Sequence, residues 1–496
     1  MAINSLSTLI GNSPITATNG VISYGFVDGE DRISEIAQAN VRSVFETLIE
    51  PFIKVEFVEV EVEADINVQL HDDERYYAYE LLQDIYLGRE YDNNDTTNGF
   101  QGGVGSYGFM SIAHEALHTL GLKHPGNYID NGLDRPPYLP YELDNIYNTI
   151  LSYNIPGKYA STLMPYDIGA LRQLYGARNF NGGKTTYKFT SVYSFDDGKR
   201  TWGDQRSASK LTLVDDGGYD ELDFSQLAAN AAGYTLDARV GGAFTATQAI
   251  DSVSYEPVDR TVSNLPLETT TDYGTRLSFE SKIESIVGSQ SDDVIVAGEK
   301  TRQISAGGGD DKIFGRERES EIWGGLGSDQ IVSGDGRDEL HGGSDFAGAA
   351  DGDDEIYGGG GSDTLWGDGG GDVLRGQLQN DTLLGGQGND WLFGSETLSK
   401  SGEKDKLSGG EGRDWFVLGT EEGTFYQGSG YATITDWEAG KDRLQLGLDL
   451  AQYTLDFKKM SGGSALDTGI YLEKDLIAVI EDSTEVTLGG RDTVFV

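Results

Sequence analysis

The chain has 496 residues, with 82 Asp and Glu against 37 Lys and Arg, which gives a formal net charge of −45. This excess of negative charge excludes nucleic acid as a natural partner. The chain contains no cysteine, which excludes disulfides and thiol catalysis, and no run of about 18 apolar residues that could span a membrane.

The N-terminal part of the chain shows mixed strand and helix patterns after a polar leader at residues 1–20. The leader has no charged segment followed by a long apolar stretch, so no N-terminal signal peptide is expected. Residues 22–26 are predicted to form a first strand, and residues 33–50 contain a helical pattern. The second half of residues 63–70 alternates like a strand. These patterns predict a domain that contains both helices and strands.

The pattern H-E-x-x-H-x-x-G-x-x-H begins at His114 and carries the main functional signal. His114 and His118 lie one turn apart on one face of a helix, at the spacing that two ligands of one zinc ion need. Gly121 can adopt a positive φ, so the chain can turn back there and bring His124 as the third ligand. The carboxylate of Glu115 can reach a water in the open fourth position of the zinc ion and act as a general base.

The residues that follow the motif narrow the class of site. Pro125-Gly126 follows the third histidine, and Ser152-Tyr153 lies further along the chain. This arrangement resembles the serralysin family of metzincin zinc proteases, in which a tight turn containing methionine lies beneath the zinc. The resemblance implies that Tyr153 ligates zinc at rest and donates a hydrogen bond to the oxyanion during turnover. The methionine position holds Leu151, a swap of similar volume that we expect to cost under about 1.5 kcal/mol.

The resemblance to serralysins extends over other segments of the chain. Residues 76–79 would form the edge strand that pairs with an extended substrate, although such a run also fits a core or surface strand. Residues 167–176 resemble the helix that follows the turn, and residues 211–224 resemble a loop that leads into the C-terminal half, with a further calcium ion. Residues 433–442 resemble the strand that closes that half.

From about residue 288 the chain repeats every nine residues, with two insertions of seven and six residues. Four copies fit G-G-x-G-x-D-x-U-x, the calcium-binding nonapeptide of RTX proteins, which winds into a parallel β-roll. Its glycines allow the turn, its aspartate ligates calcium, and a short strand buries one large apolar residue. The apolar residues in this phase are Ile295, Ile304, Ile313, Ile322, Ile331, Leu340, Ile356, Leu365, Leu374, Leu383, Leu392, Leu407 and Phe416.

The candidate calcium ligands are aspartates and glycines of these turns. They are Gly307, Gly309, Asp311, Gly325, Gly327, Asp329, Gly334, Gly336, Asp338, Asp354, Gly359, Gly361, Asp363, Asp372, Asp381, Gly386, Gly388, Asp390, Asp405, Gly410, Gly412 and Asp414. One turn has Ser320 in the aspartate position and is predicted to bind calcium poorly. Without cations this block is expected to be unfolded, and calcium binding should fold it.

The repeats also predict where the protein acts. Calcium modules of millimolar affinity are useful outside the cell, so we expect a secreted, extracellular protein without an N-terminal signal peptide. RTX proteins leave through a type I secretion exporter that reads an uncleaved C-terminal signal. Residues 491–496, an acidic residue followed by hydrophobic ones, resemble the ending of serralysins.

The predicted fold class is α+β, a metzincin-type protease domain followed by an all-β parallel β-roll. The predicted segments are a leader at 1–20, the catalytic domain at 21–178, a β-rich connection at 179–287, the roll at 288–420 and a C-terminal β region with the secretion signal at 421–496.

The predicted function is hydrolysis of extracellular proteins or peptides with one zinc ion and several calcium ions, by a monomer. Two alternatives are a catalytically impaired metzincin-fold binding protein and a structural RTX surface protein. Retention of Glu115 argues against the first alternative, because a structural zinc site needs no general base. Retention of all five motif positions argues against the second.

Overall fold

In this computed structural model, the described residues are 2–11, 14–74, 77–95, 98–126, 128, 136–140, 143–155, 158–203, 210–246, 274–344, 351–396, 398, 402–461, 463 and 465–496. The chain divides into two compact units. Unit 1 comprises Met1–Asp220 and Ala238–Lys282, and unit 2 comprises Glu221–Asp237 and Ile283–Val496. No helix in these ranges is long and apolar enough to cross a membrane.

Unit 1 contains a five-stranded sheet with the order β2-β1-β3-β5-β4, in which only β4 runs antiparallel to its neighbour. Strand numbers follow the chain. The strands are β1 (Val21–Phe26), β2 (Glu56–Glu59), β3 (Ile66–His71), β4 (Ala78–Leu81) and β5 (Asp84–Gly88). The α-helices in the described part of unit 1 are α1 (Glu35–Arg42), α2 (Tyr107–Thr119) and α3 (Pro165–Tyr175).

The elements predicted from the sequence of unit 1 are present with one change. The predicted strands lie within β1 and β3, and the predicted helix after the turn is α3. The helical pattern at residues 33–50 gives only two turns of α-helix, followed by a π-helical segment (Ser43–Ile49) and a 3-10 turn (Glu50–Phe52). Pro51 has no backbone N–H, so a regular α-helix cannot continue through it.

The strand predicted at residues 76–79 is β4, which lies at the edge of the sheet. Tyr76 lies outside the described residues. In the β4–β5 hairpin, Gly88 N–H donates to Tyr77 O at 2.9 Å, and Tyr79 lies opposite Tyr86. Hydrogen-bonded positions alternate along an antiparallel pair, so the backbone groups of Ala78 and Glu80 point away from β5 towards the free edge.

Helix α2, which carries the histidine motif, is buried along most of its length. Ser106 caps its first turn by accepting the N–H of Phe109 at 3.1 Å. The helix ends before Gly121, whose φ is +91° and whose Cβ, if present, would lie 2.5 Å from the Cα of Pro14. Glycine is therefore required there both by conformation and by close backbone approach.

The described part of the predicted leader packs against this chain reversal. A 3-10 helix covers Ala2–Leu9, and Leu9 is fully buried. Gly11 N–H donates to Gly121 O at 2.7 Å, and Lys123 N–H donates to Leu9 O at 2.8 Å. The polar composition of the segment hid these contacts, which are made by its backbone and by a few apolar side chains.

The rest of unit 1 is β-rich. Strands β6 to β8 form an antiparallel meander, and β9 pairs in parallel with β13. These strands are β6 (Thr186–Ser191), β7 (Ser194–Asp196), β8 (Thr201–Gly203), β9 (Leu211–Leu213), β12 (Phe244–Ala246) and β13 (Thr275–Leu277).

Unit 2 is a parallel β-roll in which successive nonapeptides alternate between two sheets. The first sheet contains β10 (Glu221–Asp223), β14 (Ser285–Val287), β16 (Gln303–Gly308), β18 (Glu321–Leu326), β20 (Glu339–His341), β22 (Thr364–Gly369), β24 (Thr382–Gly388), β26 (Lys404–Gly412), β30 (Tyr431–Ile434), β34 (Asp475–Ile480), β33 (Asp467–Leu472) and β32 (Tyr453–Lys458). The second sheet contains β11 (Tyr234–Asp237), β15 (Val294–Val296), β17 (Lys312–Phe314), β19 (Gln330–Val332), β21 (Glu355–Gly360), β23 (Val373–Leu378), β25 (Trp391–Ser395), β27 (Trp415–Val417), β31 (Arg443–Leu446) and β35 (Thr493–Phe495). A small hairpin joins β28 (Gly419–Thr420) and β29 (Gly423–Thr424).

The nine-residue phase predicted from the sequence is confirmed by the register of the roll. Ile304 pairs with Ile322 in the first sheet, so one coil takes two repeats. All thirteen apolar residues in this phase are at most 1% exposed. The seven-residue and six-residue insertions leave the register intact, because Ile331 pairs with Ile356 and Leu383 pairs with Leu407.

Candidate metal centres

The three motif histidines bring their ring nitrogens together. Nε2 of His114 lies 3.1 Å from Nε2 of His118 and 3.2 Å from Nε2 of His124, and the last two atoms are 3.2 Å apart. Three nitrogens bound to one tetrahedral zinc ion are roughly 3.3–3.4 Å apart, given Zn–N bonds of about 2.0–2.1 Å. The donor set and its spacing therefore fit zinc.

Backbone carbonyls fix two of these rings. Nδ1 of His114 donates to Ile150 O at 2.9 Å, and Nδ1 of His118 donates to Leu122 O at 2.9 Å. A carbonyl oxygen can only accept, so the proton is on Nδ1 and the Nε2 lone pair faces the metal position. Burial, followed by the neighbouring histidines, holds the pKa of His114 well below its ordinary value, which favours the neutral form that binds a metal.

Glu115 is buried next to the first histidine, with 7% of its surface exposed. Burial raises the pKa of its carboxyl to about 8, and the charge of Glu80 adds to the increase. The backbone N–H of Glu80 opposes this effect by hydrogen bonding to the carboxylate. Glu115 thus lies beside the free edge of β4. A bound dication would lower its pKa towards the ionised form that a general base needs.

Tyr153 lies against the histidine rings and is 38% exposed. Its ring centroid is 4.7 Å from that of His124 and 5.6 Å from that of His114, and its plane is within 9° of the His114 plane. Leu151, in the predicted methionine position, is fully buried in the core of unit 1. The structure therefore brings together every residue that the sequence assigned to the zinc site.

The turn that carries Ile150 and Tyr153 is held by a buried carboxylate that sequence reasoning missed. Asp167 accepts the hydroxyl of Thr149 at 2.5 Å, the N–H of Ile150 at 3.0 Å and the N–H of Met164 at 2.9 Å. Burial raises its pKa to about 7. Its position three residues after the N-cap of α3 is a capping signal that could have identified it.

A second support for this turn comes from β13. Nη1 of Arg276 donates to Asn148 Oδ1 at 2.6 Å and to Tyr147 O at 3.1 Å, and Nη2 donates to Gly241 O. No sequence signal marks Arg276, because it is 128 residues from Asn148 and outside the predicted catalytic domain.

A further pair of buried carboxylates lies where the sequence predicts an extra calcium ion. Asp215 and Asp220 are both fully buried. Asp215 accepts the hydroxyl of Tyr187 at 2.6 Å and the N–H of Gly217 at 2.7 Å, and burial raises its pKa to about 7. Carboxylate oxygens gathered at such a turn are the donors that calcium prefers.

The repeat aspartates of unit 2 stack into two ladders. In each ladder, Oδ1 of one aspartate accepts the backbone N–H of the residue one coil earlier, at 2.6–3.2 Å. The first ladder contains Asp293, Asp311, Asp329, Asp354, Asp372, Asp390, Asp414 and Asp442. The second ladder contains Asp338, Asp363, Asp381 and Asp405. Asp293 and Asp442 were not among the candidate ligands. The phase of the repeats reaches Asp293, whereas Asp442 lies 28 residues after Asp414 and is out of phase.

Seven ladder aspartates have a buried Oδ2 atom that accepts no hydrogen bond from the described residues. They are Asp311, Asp329, Asp354, Asp363, Asp372, Asp381 and Asp390. Burial raises their pKa values, to about 9 for Asp311 and Asp354 and to about 8 for Asp372 and Asp381. Buried carboxylate oxygens without a donor are costly unless a cation binds them, so this donor set fits calcium.

The candidate glycines adopt the conformations that these turns need. Those at the second and fourth turn positions have φ between +95° and +149°, with the exception of Gly334 and Gly336. Another turn of the second ladder, at Gly376–Asp381, has Gln377 and Gln379 in these positions with φ of +76° and +82°. The turns of the second ladder thus depart further from the glycine pattern than the turns of the first ladder do.

Comparison with known proteins agrees with this architecture. The family model for the RTX calcium-binding nonapeptide repeat matches residues 287–317, 305–340, 317–347, 341–374 and 366–396. A serralysin of Photorhabdus sp. (strain Az29) is 34% identical over 153 residues, which cover 28% of this chain and 29% of that protein. A serralysin of Proteus mirabilis is 36% identical over 133 residues, 25% of this chain and 26% of that protein.

Part of the chain is thus similar to serralysins, and its repeats match the RTX family model. The metallopeptidase AprA of Pseudomonas marginalis is 34% identical over 155 residues, 28% of this chain and 31% of that protein. The matches thus span less than a third of the length of these serralysin relatives. Among solved structures, the AlgE6R3 subunit of the Azotobacter vinelandii mannuronan C5-epimerase matches 34% of this chain and 80% of its own, with 25% identity and a TM-score of 0.19.

Proposed function

We propose that this protein is a zinc-dependent endopeptidase that hydrolyses extracellular proteins or peptides and carries a calcium-dependent roll. The observation that carries the proposal is the convergence of three histidine Nε2 atoms within 3.2 Å of one another, with Glu115 on the same helix. A structural zinc site is normally closed by four protein ligands, whereas three histidines leave one position for a water.

The proposed chemistry divides between the metal and the chain. Bound zinc supplies a Lewis acid that lowers the pKa of a coordinated water to about 7 and polarises a carbonyl. Glu115 accepts a proton from the attacking water and returns it to the leaving amine. The low exposure of Glu115 keeps bulk water from competing for that proton.

Tyr153 is proposed to act on the oxyanion. Its phenol is an O–H donor on a half-exposed ring beside His124, where it is accessible from solvent. A donor directed at developing negative charge stabilises the transition state more than the ground state. Tyr153 is also proposed as a zinc ligand in the resting enzyme, in addition to the three histidines and the water, because catalytic zinc can take five ligands.

The substrate is proposed to be an extended polypeptide that adds to the free edge of β4. The backbone groups of Ala78 and the carbonyl of Glu80 point towards that edge, and the N–H of Glu80 bonds to Glu115 beside it. Backbone pairing fixes the direction of the substrate without selecting its side chains. This supports hydrolysis within a chain and not only at its ends.

We further propose that the protein is secreted as a monomer through a type I exporter. The roll supports this proposal, because its ladders of carboxylates suit folding where calcium is abundant.

The test is casein hydrolysis by the full-length protein in excess calcium, before and after zinc is removed with a zinc-selective chelator. Hydrolysis should stop on chelation and return when one equivalent of zinc is added. Hydrolysis that continues in zinc-free protein, or no hydrolysis by zinc-loaded protein, would refute the proposal.

A further inference from the structure

The interior coils of the roll gather oxygen atoms that are all acceptors. A Cβ placed on Gly358, the first residue of its turn, would lie 2.7 Å from Asp363 Oδ2 and 2.9 Å from Gly376 O. The same pairing of an aspartate Oδ2 with the glycine carbonyl of the next coil occurs at five other turns. These turns begin at Gly324, Gly342, Gly367, Gly376 and Gly385. When the aspartate is ionised neither oxygen can donate, so each of these positions then calls for a cation.

At the ends of both ladders, unlike in the interior, the aspartate Oδ2 atom accepts a hydrogen bond from the protein. At the ends of the first ladder, Oδ2 of Asp293 accepts the N–H of Ser289, and Oδ2 of Asp442 accepts the N–H of Glu438, each at 2.7 Å. At the start of the second ladder, Oδ2 of Asp338 accepts the hydroxyl of Ser333 at 2.5 Å. The protein itself thus satisfies these terminal carboxylates.

The last carboxylate of the second ladder is satisfied by a tyrosine. The hydroxyl of Tyr426 donates to Oδ2 of Asp405 at 2.7 Å, and Tyr426 is fully buried. A Cβ placed on Gly394, the first residue of this turn, would lie 2.1 Å from the Tyr426 hydroxyl and 2.7 Å from Asp405 Oδ2. The phenol oxygen therefore occupies the place that the glycine carbonyl of a following coil has at the interior turns.

We propose that the hydroxyl of Tyr426 replaces a calcium ion at the end of the second ladder, so that Asp405 is held by the protein and binds no cation. The phenol takes the place of the glycine carbonyl and, unlike that carbonyl, donates a proton to Asp405 Oδ2, so the carboxylate is satisfied without an ion. The calcium-binding carboxylates of the second ladder are then the interior ones, Asp363 and Asp381. This inference concerns calcium and is independent of peptide hydrolysis.

The pKa values and the backbone conformation agree with different roles for Asp405 and the interior aspartates. Burial raises the pKa of Asp405 to about 6, with the Tyr426 hydroxyl opposing the increase, whereas Asp381 one coil earlier reaches about 8. Tyr426 also adopts a φ of +59°, which is unfavourable for a tyrosine. A strained and buried residue persists only where its contacts compensate for the strain, and the bond to Asp405 is such a contact.

The first test counts bound calcium in the full-length protein and in two matched variants. Asp405→Asn keeps an oxygen for the N–H of Asp381 and gains an amide that can donate to the Tyr426 oxygen. Its calcium content, measured by atomic absorption after equilibrium dialysis, should equal that of the wild type. Asp363→Asn alters an interior position of the same ladder and should lose at least one ion. Equal loss of calcium in both variants would overturn the proposal.

The second test asks whether Tyr426 acts through Asp405. Tyr426→Phe should raise the calcium concentration at half-folding, followed by circular dichroism, by about two- to threefold in the wild-type background. It should have no further effect in an Asp405→Ala background. Tyr453→Phe is the control, because Tyr453 also buries a hydroxyl, which donates to Gly447 O at 2.7 Å. It should act equally in both backgrounds, and the same behaviour by Tyr426→Phe would overturn the proposal.

Discussion

The histidine site of unit 1 and the aspartate ladders of unit 2 are organised in opposite ways. In unit 1, backbone carbonyls already accept the Nδ1 protons of His114 and His118, and the three Nε2 atoms already converge. In unit 2, seven ladder carboxylates are buried with an oxygen that no described residue satisfies. The histidine site is therefore organised by protein contacts, and we expect the interior of the roll to need a cation for full stability at neutral pH.

The difference follows from the chemistry of the ligands. A neutral imidazole can be buried without a counter-charge. Its second nitrogen can donate a hydrogen bond to the protein, and this bond orients the ring. An ionised carboxylate cannot be buried without one. We therefore expect the stability of the roll to depend on calcium. At the histidine site we expect zinc to bind only after the surrounding chain has folded.

The largest expected effect is the pH dependence of the calcium-free roll. The folded-state pKa values of the seven ladder aspartates with an unsatisfied Oδ2 are raised to between about 6 and 9, above the ordinary value of 3.8. Their contribution to stability is thus fully present below about pH 4 and is lost as pH rises through 6 to 9. One pKa unit corresponds to about 1.4 kcal/mol, so several carboxyls together should change the free energy of unfolding by several kcal/mol.

Urea unfolding of the calcium-free, full-length protein at pH 5 and pH 8, followed by circular dichroism, measures this effect. The roll should be more stable at pH 5. In excess calcium the order should reverse, because protons then compete with the ion. Equal stability at the two pH values without calcium would contradict the burial of unsatisfied carboxylates.

The next largest expected effect concerns the histidine site of unit 1. Glu115→Gln should retain zinc, because Glu115 is not a ligand, but should lower peptide hydrolysis by at least about 10²-fold through loss of the proton acceptor. Zinc content by atomic absorption is the control. Near-normal turnover with unchanged zinc would remove Glu115 from the mechanism.

A smaller effect tests whether protein contacts hold the histidine site. Arg276→Met removes the donors to Tyr147 O and Asn148 Oδ1, and thereby loosens the turn whose Ile150 carbonyl orients His114. Loss of such outer contacts typically costs about 10- to 100-fold in metal affinity or activity. Zinc transfer to a chromogenic chelator should be about tenfold faster, and Arg276→Lys should restore part of the difference. An unchanged transfer rate in Arg276→Met would show that the site does not depend on this support.

The smallest effect concerns Leu151. Leu151→Met should change the free energy of unfolding by under about 1.5 kcal/mol and should leave activity nearly unchanged, because the two side chains are close in volume. Thermal unfolding and casein hydrolysis measure both quantities. A gain of several orders of magnitude in activity would identify the natural protein as an impaired enzyme.

Prediction from the sequence was most successful for the nine-residue repeats and for the residues of the histidine motif. The nine-residue phase predicted the thirteen buried apolar residues of the roll, because a coil of fixed length must return each one to the interior. The spacing of His114, His118 and His124 predicted their convergence. Asp167 and Arg276 escaped prediction because a single polar residue shows no periodicity. The capping position of Asp167 is a local signal, but its bond to Ile150 spans 17 residues and the bond of Arg276 to Asn148 spans 128. The closure of the second ladder by Tyr426 was hidden for the same reason.

Hydrogen exchange of the full-length, zinc-loaded protein at neutral pH, with and without calcium, compares the two centres most directly. Peptides from residues 107–124 should be protected in both conditions, because contacts within the protein hold α2 and the histidine turn. Peptides from residues 303–417 should be protected only with calcium. Full protection of the roll in the absence of calcium would contradict the account.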